Sequence, residues 1–271
     1  MTIRSRNRLT FAFFIFSLII FVLAIMLTSY QILNNIFTAP EVYLRGISSN
    51  NLLSYNPKCV LLNIFLLMSY VCITSLAILR SFEKTQAPDL TFFLLFLLAC
   101  LCNTFRLLFG LFHISGTFSK LLLKLGNSNI FALLLAPLAL FGNTTLSIED
   151  LRQHTDRNCI IILITSFFFA EFIPLNTGII MPNFCISYSY VKTLRTASCI
   201  ICLLSVIGLF ITNQKNEYSQ KMTFGFIMIC IGYSIMFYCY NILGLVTGPL
   251  LLGIGTSLYL NEVHNHYLWI D

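Results

Sequence analysis

Apolar residues in this chain come in long unbroken runs, with polar residues gathered between them. Runs near 9–31, 59–79, 90–114, 129–148, 159–177, 196–212, 222–241 and 243–260 each approach or exceed the length of helix that crosses a bilayer. A hydrocarbon core about 30 Å thick takes about 20 such residues. A membrane β-barrel would show ten-residue segments of alternating polarity instead, so the pattern predicts helices. The sixth run is short and can borrow residues from Ile186 to Val191. Only Asn241 and its neighbours part the last two, which form either a tight helical hairpin or one broken segment. The expected fold is an all-α, polytopic integral membrane helix bundle of about eight transmembrane helices, or seven if that last boundary fails. It forms a single transmembrane domain over 1–271, with no soluble domain.

Composition strengthens this reading. Of 271 residues, 58% are hydrophobic and 10% charged, and the mean hydropathy is +0.86. Soluble domains carry about 25% charged residues. A chain so poor in charge cannot cover itself with groups that water accepts, and lipid must solvate much of its surface. The net charge of +6 comes from basic residues scattered between apolar runs. A nucleic-acid binder would gather them on one face, so nucleic acid is not an expected partner.

The start, MTIRSRNR, precedes an apolar run longer than a secretory signal's and lacks a small-residue cleavage site, ending in Thr28-Ser29-Tyr30. It reads as an uncleaved first span. Placing the N-terminus inside leaves nine Lys and Arg in inner segments and six in outer ones, with Arg4, Arg6 and Arg8 carrying most of the bias. Eight spans return the C-terminus to the cytoplasm. The expected location is the cell (inner) membrane.

Charges inside the runs are few. Glu171 sits in FFFAEFIPLNT, about 18 Å along the fifth span, and Arg106 in CNTFRLLFGLFH, about 24 Å along the third. Both spans run outward, so the two charges reach broadly similar depth. An unpaired charge at mid-membrane costs at least about 2.5–3.5 kcal/mol. An Arg106–Glu171 pair is therefore the first candidate site, since arginine binds a carboxylate through two parallel bonds. Two simpler readings compete with it. Pro174, Asn176 and Gly178 end the fifth helix early and leave Glu171 near the interface, or Arg106 snorkels outward. A third is that the charges line a polar route. His113, seven residues beyond Arg106, is a candidate pH-sensitive neighbour, although interfacial histidines are commoner.

Gly244 and Gly248 have the G-x-x-x-G spacing that lets helices approach closely, within one chain or, as the minority case, between two. Pro249 should kink the same span. LLAPLALFGNTT (134–145) and LVTGPLLLGIGTS (245–257) share a proline pattern, but their neighbours do not align as a duplication requires. His264, His266 and Glu262 make a weak metal set in a C-terminal tail whose Tyr267 and Trp269 suit interfacial anchoring. No metal and no cofactor is expected. The ten cysteines lie mostly in apolar runs as small buried hydrophobes, and Cys199-Ile-Ile-Cys202 lacks a redox context. Asn143-Thr144-Thr145 matches a glycosylation sequon but falls at the inner end of a span.

No H-E-x-x-H, G-x-S-x-G or P-loop occurs. A nucleophile with its base, or clustered ligands at one depth, cannot be assembled, so a non-enzymatic role is expected. In span number alone the chain resembles the many-span sensory and accessory modules of bacterial membranes. The first functional expectation is a sensing or scaffolding membrane protein with lipid and other membrane proteins as partners. The alternative is a secondary transporter for a small solute, whose broken helices at Pro137, Pro174 and Pro249 would build a midplane site.

Overall fold

The computed structural model describes residues 3–34, 54–83, 89–111, 119–145, 155–216 and 220–268. Within them the chain forms α1 (Ile3–Leu33), α2 (Pro57–Ser81), α3 (Asp89–Asn103), a 3-10 turn (Thr104–Arg106), α4 (Leu107–Leu111) and α5 (Ser119–Thr145). Then follow α6 (Thr155–Phe172), strands β1 (Leu175–Ile180) and β2 (Ile186–Tyr188), α7 (Val191–Asn216), α8 (Gln220–Phe237) and α9 (Ile242–Leu268). The result is an all-α bundle with one two-stranded sheet. Seven of its helical segments, counting α3 to α4 as one, are long and apolar enough to cross a membrane. The eighth long helix, α6, is 18 residues and carries Asp156, Arg157 and Glu171.

Burial sorts the helices into layers. In their most apolar windows α3 is 72% buried and α5 67%, against 17% for α1 and 11% for α7, so α3 and α5 form the centre. The rim is built inside out. The buried residues of α1 are Arg6, Thr10, Ser17, Ala24, Thr28 and Gln31, while Phe11, Phe16, Leu23 and Met26 point outward. The hydroxyls on that inner face bond to their own helix, Thr10 to the Arg6 carbonyl and Thr28 to the Ala24 carbonyl. Water would not tolerate such an exterior, whereas hydrocarbon solvates it without cost. It is an apolar multi-helix bundle compatible with a membrane protein.

α8 and α9 are separate antiparallel helices, which answers the uncertain last boundary. Glycine sets how closely they approach. A Cβ on Gly255 would lie 2.7 Å from the Gly225 carbonyl oxygen, and one on Gly232 would lie 2.7 Å from the Leu252 nitrogen. Gly248 belongs to this seam, 3.0 Å from the Met236 side chain. Gly244 does not: its nearest neighbours are Asn241 and Cys239, where the Asn241 side chain accepts from the Gly244 N–H and caps α9. Pro137 and Pro249 lie inside α5 and α9.

The two ends of the bundle differ. At one, the start of α1 meets the end of α2, where Arg6 donates to the Phe82 carbonyl and Asn7 to that of Glu83 at 2.7 Å. His264 of α9 stands edge-on to Phe82, and Tyr267 donates to Asp89 at 3.0 Å. Both described ends of the chain thus lie at this terminal end. α9 continues to Leu268, so His264 and Tyr267, which suggested a loose tail, are helical and docked on the bundle. The other end carries the hairpin of β1 and β2, paired antiparallel with Leu175 opposite Tyr188 and an irregularity between Asn176 and Ile180.

Three boundaries depart from the hydropathy pattern. α5 begins ten residues before 129, because Lys120, Lys124, Asn127 and Asn129 dilute its apolar content without breaking the helix. Ile186 to Tyr188 form a strand and do not lengthen the sixth span, which instead begins at Val191. α6 stops at Phe172, two residues before Pro174, whose ring disfavours helical geometry in the residue ahead of it.

Candidate functional site

The site is built around Arg106, at the hairpin end of α3. Thr104 hydroxyl donates to the Leu101 carbonyl at 2.6 Å, and the helix tightens into a 3-10 turn over Thr104–Arg106 before resuming as α4. A short tightening within a helix rotates the following side chains relative to the α-helical register. Here it accompanies an Arg106 that is wholly buried.

Its partners are the last carbonyls of α8. Nη1 donates to the Phe237 oxygen at 2.8 Å and Nη2 to the Met236 oxygen at 3.1 Å. Two amides join it there. Asn63 of α2 donates to the Met236 oxygen at 2.8 Å, and Asn183 of the hairpin to the Phe237 oxygen at 3.0 Å. A helix end leaves its last four carbonyls without intrahelical partners and carries about half a negative charge. Four side-chain donors from three elements therefore converge on a site that is electrostatically anionic without a carboxylate. Asn63 Oδ1, Arg106 Nε and both amide ends of Asn103 are buried with no protein partner.

The hairpin closes over this cluster. Pro182 and Asn183 occupy the centre of a turn in which the Phe184 N–H donates to the Met181 carbonyl at 3.0 Å. Proline suits the first central position of such a turn. Phe184 follows with φ of 64°, and its ring packs where Gly110 has no side chain: a Cβ there would lie 2.8 Å from it. Asn183, Phe184, Cys185 and Ile186 are all buried. Burial raises the Cys185 thiol above its ordinary range, and the neighbouring Arg106 guanidinium opposes that rise. Nearby, burial pushes the Tyr55 phenol up to about 12.

Glu171 is elsewhere. It is exposed, one residue from the end of α6, and its Oε2 accepts from Asn127 of α5 at 2.8 Å. Arg106 and Glu171 are not brought together, and they form no ion pair. The early end of α6 leaves the carboxylate near the bundle's edge, while the 3-10 turn commits the guanidinium to α8. His113 falls outside the described residues. Asn143 is buried and donates to the Tyr259 hydroxyl at 2.6 Å, so it is no surface sequon. His264 is accounted for by Phe82, whereas the His266 side chain and Trp269 are outside the described residues. Every described cysteine is a free thiol.

Of the two charges that the sequence places within apolar runs, Arg106 anchors the site and Glu171 lies outside it. Asn183 and Asn127 escape that signal. Asn183 sits in a connection, where an Asn after a proline reads as an ordinary turn. Asn127 sits in a helical turn too polar to count as membrane. No protein-family model, curated protein or solved structure matches the chain.

Proposed function

We propose that the chain is a non-enzymatic multi-pass protein of the cell membrane, sensing or scaffolding, and that it acts through lipid and other membrane proteins. The observation that supports this is the commitment of Arg106. Both terminal nitrogens of its guanidinium are engaged by α8 carbonyls, with Asn63 and Asn183 on the same oxygens. A charge that serves a moving solute must exchange partners as the solute passes. This one ties α2, the α3–α4 break, the hairpin and α8 into one unit.

The meeting of α1's start and α9's end at one side of the bundle favours an even number of crossings. Arg4, Arg6 and Arg8 favour the cytoplasm for that side. A reporter fused after Asp271 should then score as cytoplasmic.

The transporter reading has one observation in its favour. Buried polar atoms without protein partners at Asn63, Asn103 and Arg106 suit a hydrated interior. Reconstitution in vesicles separates the two. The sensing or scaffolding reading predicts no solute accumulation above empty vesicles. Uptake that is abolished by Arg106→Lys, in a variant that still folds, would replace the scaffold reading with transport.

A further inference from the structure

At the hairpin end, α5 and α6 leave between them a crevice of about 240 Å³. Lys124, Asn127, Ser128 and Phe131 line one wall, at the spacing of a single helix face. Phe167 and Glu171 line the other. Asn127 holds Glu171 by one oxygen, at 2.8 Å. Lys124 and Glu171 share this small space, yet they form no ion pair with each other. Opposite charges kept apart beside hydrocarbon forgo attraction that closer pairing would supply. A molecule that carries both charges, in the reverse order, would satisfy both.

We propose that this crevice binds the headgroup of an aminophospholipid of the phosphatidylethanolamine class. Its ammonium donates to the Glu171 carboxylate and its phosphate faces the Lys124 ammonium. The floor of the crevice suits a lipid better than a free zwitterion. Phe131 and Phe167 stand edge to face there, with ring centroids 6.4 Å apart. Beside them α6 turns Ile164, Phe168 and Phe172 outward, giving acyl chains an apolar path away from the headgroup. Both charges also sit near helix ends, Lys124 within the first two turns of α5 and Glu171 in the last turn of α6, and the ends of membrane-crossing helices are the parts that meet headgroups. A primary ammonium offers three donors to a carboxylate. A trimethylated one offers none, and a glycerol headgroup carries no cation. The site therefore ranks ethanolamine above choline and glycerol, and it is independent of the Arg106 cluster.

Thermal unfolding of the purified full chain in detergent, with short-chain phosphatidylethanolamine, phosphatidylcholine or phosphatidylglycerol added at equal concentration, tests the assignment. Ligand that binds only the folded state raises Tm, and the ethanolamine lipid should add about 2–4 °C beyond the other two. Glu171→Gln keeps an acceptor for Asn127, and Lys124→Gln changes an exposed side chain. Each should remove at least half of the ethanolamine increment, read against the same variant's Tm in phosphatidylcholine. Equal shifts with all three headgroups would overturn the proposal, as would a preference that survives both substitutions together. Free O-phosphoethanolamine is the last arm. If it alone reproduces the full increment, the ligand is a soluble zwitterion and the lipid assignment falls.

Discussion

Arg6 and Arg106 answer the same problem at opposite ends of the bundle. Each donates to a carbonyl at a helix C-terminus, Arg6 to Phe82 just past α2 and Arg106 to Met236 and Phe237 in the last turn of α8. A cation is favoured at either place by the partial negative charge of the helix end. Their surroundings differ. Arg6 is also buried, but it begins the first helix among charged and polar neighbours, and both Arg4 and Arg8 beside it are exposed. Arg106 is wholly buried, shares its carbonyls with two asparagines, and lies beneath the hairpin turn. A buried arginine thus needs no acidic partner when a helix end stands in for one. The same contact should be worth far more where water cannot replace it.

The sharpest way to break this comparison is Arg106→Leu. It removes two charge-assisted bonds from buried carbonyls, and should cost about 3–5 kcal/mol in reversible unfolding from mixed micelles. Arg106→Lys should restore less than half, because one ammonium cannot reproduce two parallel donors. A loss below about 1 kcal/mol would show that the asparagines alone hold the end of α8.

Gly232→Val attacks the same helix from the other side. Its added atoms would meet the Leu252 backbone, so α8 must draw away from α9. Overpacking of this kind costs about 1–3 kcal/mol. Gly253→Val, on a glycine with open space around it, should change the same unfolding midpoint little.

Arg6→Leu should cost about 1.5 kcal/mol, the low end for a bond made by a charged group, because Arg6 is buried but flanked by the exposed Arg4 and Arg8. Salt separates the two arginines. Raising ionic strength should shrink the Arg6 effect more than the Arg106 effect, because salt screens the exposed Arg4 and Arg8 that flank Arg6. Equal salt dependence would erase the distinction between the two ends.

The smallest effect concerns Glu171. In a double-mutant cycle, Arg106→Leu and Glu171→Leu should add within about 0.5 kcal/mol, as residues without shared partners do. A larger coupling would restore the direct pair that charge and depth alone suggest.

Long apolar runs bounded by polar residues determined the all-α class and the number of long helices, because the lengths needed to cross hydrocarbon leave few alternatives. The same runs identified Arg106 and Glu171 as charges that require partners. Which partner each takes was decided only in three dimensions. Glu171 looks equivalent to Arg106 when depth is counted along the helix, since sequence position gives height and says nothing of azimuth. A 3-10 turn and an early helix end turned the two side chains toward different neighbours. The acceptors of Arg106 are backbone carbonyls, which every residue carries and no sequence distinguishes. The seam between α8 and α9 shows the same division. Gly244 and Gly248 carry the recognisable spacing, yet the closest backbone contacts fall to Gly225, Gly232 and Gly255. A spacing motif marks a helix as able to approach another closely. Only the packed bundle determines which of its small residues meet a neighbour, because that depends on the rotation and register of both helices together.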